Sequence, residues 1–324
     1  IANCTPNSGN VRKGMSRDDI FIAVHDTFWT DSCMYADIVL PADTALERTD
    51  CHWAYGSWYL GINKPVIEPQ GESVRNTELF RMLADKMGYV DSTDNAFTQT
   101  DEEIIKDILL EAENEDGERF NCLTEGINYD DVVKNGWARA STNSKRRDFL
   151  NSGWATPSGK IEIKCEAITA EYPDVSPFPE YVPEIKGQYD PLKSKYPIQV
   201  LSSASHYFIG DSFQSVPRLQ AMQSRPTVEL SVNDAKARGI KDGDLVRLYN
   251  EQADTYCYAV IIDGLLDGVC ATQKQFKGSN TPNGLNVNNL NTEMLTDFGK
   301  SPTFYSVLVE IEKASEEMCK EAIK

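Results

Sequence analysis

Two loops dense in serine, asparagine and glycine hold most of the side chains in this chain that could do chemistry. The first, SSASHYFIGDSFQS at 202–215, gathers several serines, His206 and Asp211 between apolar runs. Its hydroxyls, imidazole and backbone amides can hold phosphates by hydrogen bonds, and the same composition also suits a plain polar surface loop. The second, KQFKGSNTPNGLNVNNLN at 274–291, combines glycines that let backbone approach a ligand with many neutral amide donors and acceptors. An ordinary Asn/Gly turn is the alternative there. A third candidate is Asp26, which closes the apolar run 20–25 and is followed by Thr27 and Thr30. A carboxylate at that place can accept two hydrogen bonds from a ligand or cap a turn.

Other chemistries lack their residue patterns. A serine–histidine hydrolase would need a G-x-S-x-G elbow beside its histidine, and the sequence has none. The eight cysteines, at 4, 33, 51, 122, 165, 257, 270 and 319, form no CxxC or CxxH pair, so neither a zinc knuckle nor a cluster site is expected, and no metal ligand is assigned. His25 and His52 have no partner at ligand spacing and read as packing residues. A net charge of -18 argues against nucleic acid as a partner, since a phosphate backbone needs a positive face. No apolar run approaches the roughly 18 residues of a membrane helix, so direct membrane insertion is not expected. Patternless cysteines suit a reducing or anoxic setting.

The elements that must position these loops follow from periodicity. Runs at 20–25 and 36–40, the latter closed by Pro41, read as two buried strands of a parallel sheet, and Thr30, Asp31 or Ser32 can cap one helical turn between them. A hairpin is expected within 51–69, a helix from Asn76 stopped by Gly88, a second helix from Asp101 to about Glu113 and a short one near 130–136. ATPSGKIEIKC, at 155–165, reads as a turn feeding a strand. Five prolines between 177 and 197 mark a stiff boundary. Beyond it, short strands at 198–202, 227–232, 245–250, 257–262 and 306–311 suggest a closed or nearly closed barrel, with Asn233 capping a short helix that Gly239 ends.

An ordered set of segments carries a family resemblance. Asp26, Thr27 and Thr30 precede ADIVLP at 36–41 and Glu47; then come PQGESVRNTELFRMLADKMG at 69–88, ATPSGKIEI at 155–163, and a block from Pro197 to Lys313. In that order they resemble the molybdopterin oxidoreductases of the dimethyl sulfoxide reductase superfamily. The resemblance implies an α/β part, the end of a parallel-sheet domain plus helices, at 1–176. After the linker at 177–197 it implies a double-psi β-barrel domain binding the molybdopterin dinucleotide at 198–313, and then a tail at 314–324.

It also implies a cofactor, molybdopterin guanine dinucleotide with molybdenum or tungsten. The implied contacts are Asp26 to the guanine, Thr30, Ser203, Ser205, His206, Tyr207, Asp211, Ser212, Lys277 and Asn288, with His206 and Asn288 facing one cleft. The chain departs from the family pattern at Ser205 and Asp211, where many relatives carry Arg or His, and at Asn291, where the Asn-x-Leu-Thr motif ends in Thr. IANCTPNSGN resembles an Asn-Pro segment found midway through these enzymes. An iron–sulfur cluster and the metal-ligating residue are therefore expected only in an amino-terminal part that this sequence does not include. The implied function is the cofactor-binding carboxyl-terminal portion of an enzyme of two-electron redox or oxygen-atom or hydroxyl transfer on a small substrate. Its partners would be the amino-terminal half and an electron-transfer iron–sulfur subunit. A non-catalytic structural or docking module of the same ancestry is the alternative.

Overall fold

A computed structural model describes residues 1–89, 97–110, 127, 129–139 and 153–318. They fall into two compact units: one of Ile1–Val24, Phe28–Val39 and Tyr181–Lys324, the other of His25–Thr27 and Leu40–Glu180. Residues 111–113 of the expected second helix, Cys122, Cys319 and the end of the 314–324 tail lie outside the described residues.

The helix α1 (Ser8–Met15) precedes a two-stranded sheet of β1 (Ala23–Asp26) and β2 (Ile38–Pro41). Hydrogen-bond partners rise together along the two segments, Asp37 N to Ile22 O at 2.8 Å and Ala42 N to Asp26 O at 3.1 Å, the parallel sense expected. The expected burial is corrected. β1 begins at Ala23 rather than Ile20, and Phe21 is 68% exposed. An apolar run reads as core only if further layers cover it, and a two-stranded pair cannot bury both its faces. Between the strands Asp31–Tyr35 forms a 3-10 turn; Thr30 takes the cap position but makes no side-chain cap bond.

In the second unit, β3 (Asp50–Trp53) and β4 (Tyr59–Asn63) form the expected hairpin, extended by β5 (Trp137–Arg139). Helix α2 (Asn76–Met87) stops at Gly88 in the left-handed conformation, φ 75°, which glycine adopts without a Cβ penalty. With α3 (Asp101–Leu110) and α4 (Tyr129–Asn135), the sheet builds a small core of Leu60, Ile62, Ile105, Leu109 and Val132. Glu47 is buried and accepts from Thr44 N and Gln70 N, both at 2.6 Å, and from Ser73 Oγ at 3.2 Å; these bonds hold its carboxyl down at about 2, so it ties two turns together. The strand expected from ATPSGKIEIKC does not form. Thr156 Oγ1 instead bonds Lys160 O and Ser158 N bonds Glu162 Oε1, local closures that compete with an extended ladder, and the chain runs on into α5 (Glu166–Glu171).

The barrel lies in the first unit. β6 (Ile198–Ser203), β7 (Thr227–Ser231), β8 (Leu245–Tyr249), β9 (Asp254–Ile262), β10 (Val269–Gln273) and β11 (Leu308–Lys313) close in the order β10-β6-β11-β8-β9-β7. β6 with β10 and β7 with β9 are parallel, and the remaining neighbours are antiparallel. Alternation of period two turns Val200, Val228, Leu230, Val246, Leu248 and Val309 inward. Strand β10, VCATQ, carries too little β-branched or aromatic character to stand out in the sequence, yet it pairs on both edges. The helix α6 (Pro217–Met222) follows β6, and α7 (Val232–Ala237) follows β7. The cap of α7 is Ser231, whose Oγ accepts from Asp234 N at 3.0 Å; Asn233 instead donates to Asp267. The unit boundary at 180/181 falls inside the proline-rich stretch, but residues 1–24 and 28–39 group with the barrel and not with 40–176 as read from sequence.

Candidate functional site

The register of the barrel brings the two candidate loops together. Ser203, the last residue of β6, pairs with Gln273, the last of its parallel neighbour β10, so both loops leave the barrel from the same end. One buried side chain then joins them. Gln214 donates from Nε2 to Gly210 O at 2.9 Å and to Gln275 O at 2.8 Å, and its Oε1 accepts from Lys277 N at 2.6 Å. Gln220 Nε2 adds a bond to Asn280 Oδ1 at 3.1 Å. The Lys277 ammonium reaches Ser215 Oγ and Trp29 O, both at 3.4 Å.

The amino-terminal segment forms the third side of this junction, which explains why it groups with the barrel. Buried Asn3 donates to Asp31 Oδ2 at 2.8 Å, accepts from Arg12 Nη2 at 2.7 Å, and through its carbonyl accepts from Asn286 Nδ2 at 3.1 Å and Asn288 Nδ2 at 2.8 Å. Arg12 also donates to Gly284 O, and Asp31 accepts from Ser279 N at 3.1 Å. Gly278 sits inside this network, where any Cβ would run into the Arg12 guanidinium and Gly284 O. Cys4 lies beside Asp211; burial, and then its hydrogen bond to that carboxylate, push the thiol up to about 12.

The junction holds polar atoms that the protein does not satisfy. Among the described residues, Asn288 Oδ1, both side-chain polar atoms of Asn291, Asn283 Nδ2 and Ser202 Oγ are buried without a hydrogen-bond partner. Four of these five belong to 283–291. Buried polar groups in folded proteins are overwhelmingly partnered, because leaving one unpaired costs about 1 to 3 kcal/mol. Unpaired amide atoms at three positions of one asparagine-rich loop can exchange hydrogen bonds with a polar heterocyclic or phosphorylated ligand.

Of the residues singled out from sequence, Lys277, Asp211 and Asn288 enter this junction directly. Asn288 is fully buried and points at Asn3 O, whereas His206 is exposed and meets Tyr207 edge-on at 4.9 Å. Ser205 Oγ donates to Gln223 Oε1 at 2.5 Å and accepts from Tyr207 N at 3.2 Å; Ser203 Oγ donates to Thr272 O at 3.4 Å; Ser212 is exposed on the same loop. Thr30 precedes Asp31, its Oγ1 3.6 Å from Cys33 Sγ. Asp26 belongs to the second unit. The sequence pattern does not mark Asn3, Arg12, Gln214 or Asn286, and it marks Asp31 only as a possible cap. IANCTPNSGN pointed to the neighbourhood of Asn3; a lone loop glutamine such as Gln214 carries no such signal.

The second unit has a cleft of about 850 Å³ lined by Lys64, Arg75, Arg81, Asp101 and Tyr129, among others. Its two arginines are held by carboxylates, Arg75 by Asp101 and Arg81 by Glu78 and Asp101. No group of three or more His, Cys, Asp or Glu among the described residues is arranged to hold a metal ion, and no described helix is long and apolar enough to cross a membrane.

Residues 198–308 match the Molydopterin dinucleotide binding domain and residues 2–86 the Molybdopterin oxidoreductase family. The chain is 33% identical over 309 residues to the probable oxidoreductase YoaE of Bacillus subtilis (strain 168), covering 95% of this chain and 42% of that protein. It is 27% identical to the dimethyl sulfoxide reductase DmsA of Escherichia coli (strain K12), covering 90% of this chain and 38% of that one. The chain thus spans about two fifths of the length of these relatives. Its fold is similar to that of acetylene hydratase from Pelobacter acetylenicus, with a TM-score of 0.74 and 18% identity over 97% of this chain and 43% of that one.

Proposed function

Because this chain belongs to the molybdopterin oxidoreductases, we propose that its barrel unit binds the dinucleotide of a molybdopterin guanine dinucleotide carrying molybdenum or tungsten. The observation that carries this reading is the set of buried amide atoms without partners in 283–291, namely Asn283 Nδ2, Asn288 Oδ1 and both polar atoms of Asn291, inside the matched dinucleotide-binding domain. The fit is chemical. Guanine and pterin rings offer donors and acceptors in the plane of the ring, which neutral amides complement without adding charge. Asn288 Oδ1 would accept from a ring N–H, and Asn291 would donate to and accept from the same or a neighbouring ring. The Lys277 ammonium, held by two neutral oxygens at 3.4 Å, would face the diphosphate, with the hydroxyls of Ser203, Ser205 and Ser212 and the rings of His206 and Tyr207 along the adjoining loop. Asp211 donates nothing to a phosphate, and its bond to the Cys4 thiol gives the carboxylate a partner of its own.

The metal–pterin group, when bound, would supply two-electron redox or oxygen-atom or hydroxyl transfer on a small substrate. This chain's part is to bind and orient the cofactor and to tune it by hydrogen bonds. Two parallel pairs, β6 with β10 and β7 with β9, support the double-psi form of the barrel. In the same reading the metal ligand and any iron–sulfur cluster come from an amino-terminal half, and an electron-transfer iron–sulfur subunit is a fitting partner. The test is analysis of the protein purified from its native source. Acid release should yield guanine nucleotide together with molybdenum or tungsten; protein without nucleotide or metal would support a non-catalytic module instead.

A further inference from the structure

Gln214 stands where two turns of unfavourable backbone conformation meet. Phe213, just before it, has φ 68°, and Gln275, whose carbonyl it binds, has φ 57°. Both are in the left-handed region, which residues with a Cβ rarely adopt and which persists only where the surroundings hold it. Core packing does not hold Phe213, since that side chain is 51% exposed. The third left-handed residue of the bracket is Gly210, φ 62°, whose carbonyl accepts from Gln214, and a Cβ there would run into Gln275 Oε1. Gln214 itself is 2% exposed, and its amide uses both donors and its acceptor on backbone groups of the two turns. A carboxylate of the same length would set an oxygen against two carbonyls, and a hydroxyl could not span them.

We infer that Gln214 is a positioning residue of the cofactor site: one buried amide holds Gly210–Phe213 and Gln275–Lys277 in register. It thereby sets where the Lys277 ammonium and the 205–212 loop present themselves to the diphosphate. The inference rests on the reading that these loops hold the dinucleotide. Its effect is indirect, through backbone geometry, and Gln214 itself touches no ligand.

The experiment compares the unsubstituted protein with Gln214→Ala and Gln214→Glu, using GDP as the probe in calorimetric titration and amide hydrogen exchange as the second readout. Gln214→Ala should weaken GDP binding at least about tenfold and speed exchange at the Lys277 amide, while the barrel strands keep their protection. Gln214→Glu covers the case in which the alanine variant does not fold. It should bind weakly at pH 8 and regain affinity as acid protonates the introduced carboxyl, which then donates one O–H while its carbonyl still accepts from Lys277 N. A purely space-filling role would show no such recovery. GDP affinity and Lys277 exchange unchanged in both variants would overturn the inference. If the unsubstituted protein does not bind GDP, the dinucleotide reading fails; fast Lys277 exchange in the variants would then still support the bracket, and unchanged exchange would overturn it.

Discussion

Replacing Asn291 by leucine should make the protein more stable and less able to bind nucleotide. Asn291 is 0% exposed and neither of its side-chain polar atoms has a partner, so leucine, which has the same heavy-atom branching and a larger volume, removes two buried unpaired groups. At about 1 to 3 kcal/mol for each such group, and allowing for imperfect fit, the gain should be about 2 kcal/mol, or a rise of roughly 4 to 8 °C in the melting temperature of a unit of this size. Asn286, in the same loop, is the control. Its Nδ2 donates to Asn3 O at 3.1 Å and to Phe276 O at 2.7 Å, and its Oδ1 accepts from Asn288 N at 3.0 Å. Asn286→Leu breaks all three bonds and should cost about 3 kcal/mol, at roughly 1 kcal/mol each. The same chemical change five positions apart should therefore differ in sign, with a swing of about 5 kcal/mol. Urea unfolding of nucleotide-free protein, followed by near-ultraviolet circular dichroism, measures both variants, and GDP titration measures the functional side. Destabilisation by Asn291→Leu would mean that this amide has a structural partner, and the argument from unpaired amides to a ligand would fall.

Two further outcomes follow from the ionisable groups. Burial raises the Asp101 carboxyl, but hydrogen bonds from Arg75, Thr77 and Arg81 outweigh it and bring it down to about 2 from an ordinary 3.8. Since the folded value is the lower one, the stabilisation is complete above about pH 4 and is lost as pH falls toward 2; Asp101→Asn should flatten that part of the melting temperature against pH, and an unaltered slope would refute the assignment. Burial pushes the Cys257 thiol up to about 12 and raises Cys270 as well, so iodoacetamide at pH 8 should label exposed Cys165 in the native protein and reach the two barrel cysteines only on unfolding, as peptide mass mapping would show.

Local signals carried much of the architecture. The hairpin of β3 and β4, the stop of α2 at Gly88 and the inward alternation of β6, β7, β8 and β9 are each written in a few neighbouring residues, because side-chain period and turn chemistry are properties of short segments. The sequence by itself also marked both polar loops and, through the order of its motifs, the family. The segments that misled were those whose local pattern is completed elsewhere. Ile20 and Phe21 read as core but are exposed, the 155–165 segment closed on itself, and β10 is a strand because β6 and β7 flank it. The junction was decided by tertiary structure alone. Asn286 and Asn288 reach Asn3 across 283 and 285 positions, and Gln214 reaches Lys277 across 63. An amide in a polar loop has the same composition whether water or another strand's carbonyl satisfies it, so only the closed barrel, by setting Ser203 beside Gln273, determines which amides are paired and which are left for a ligand.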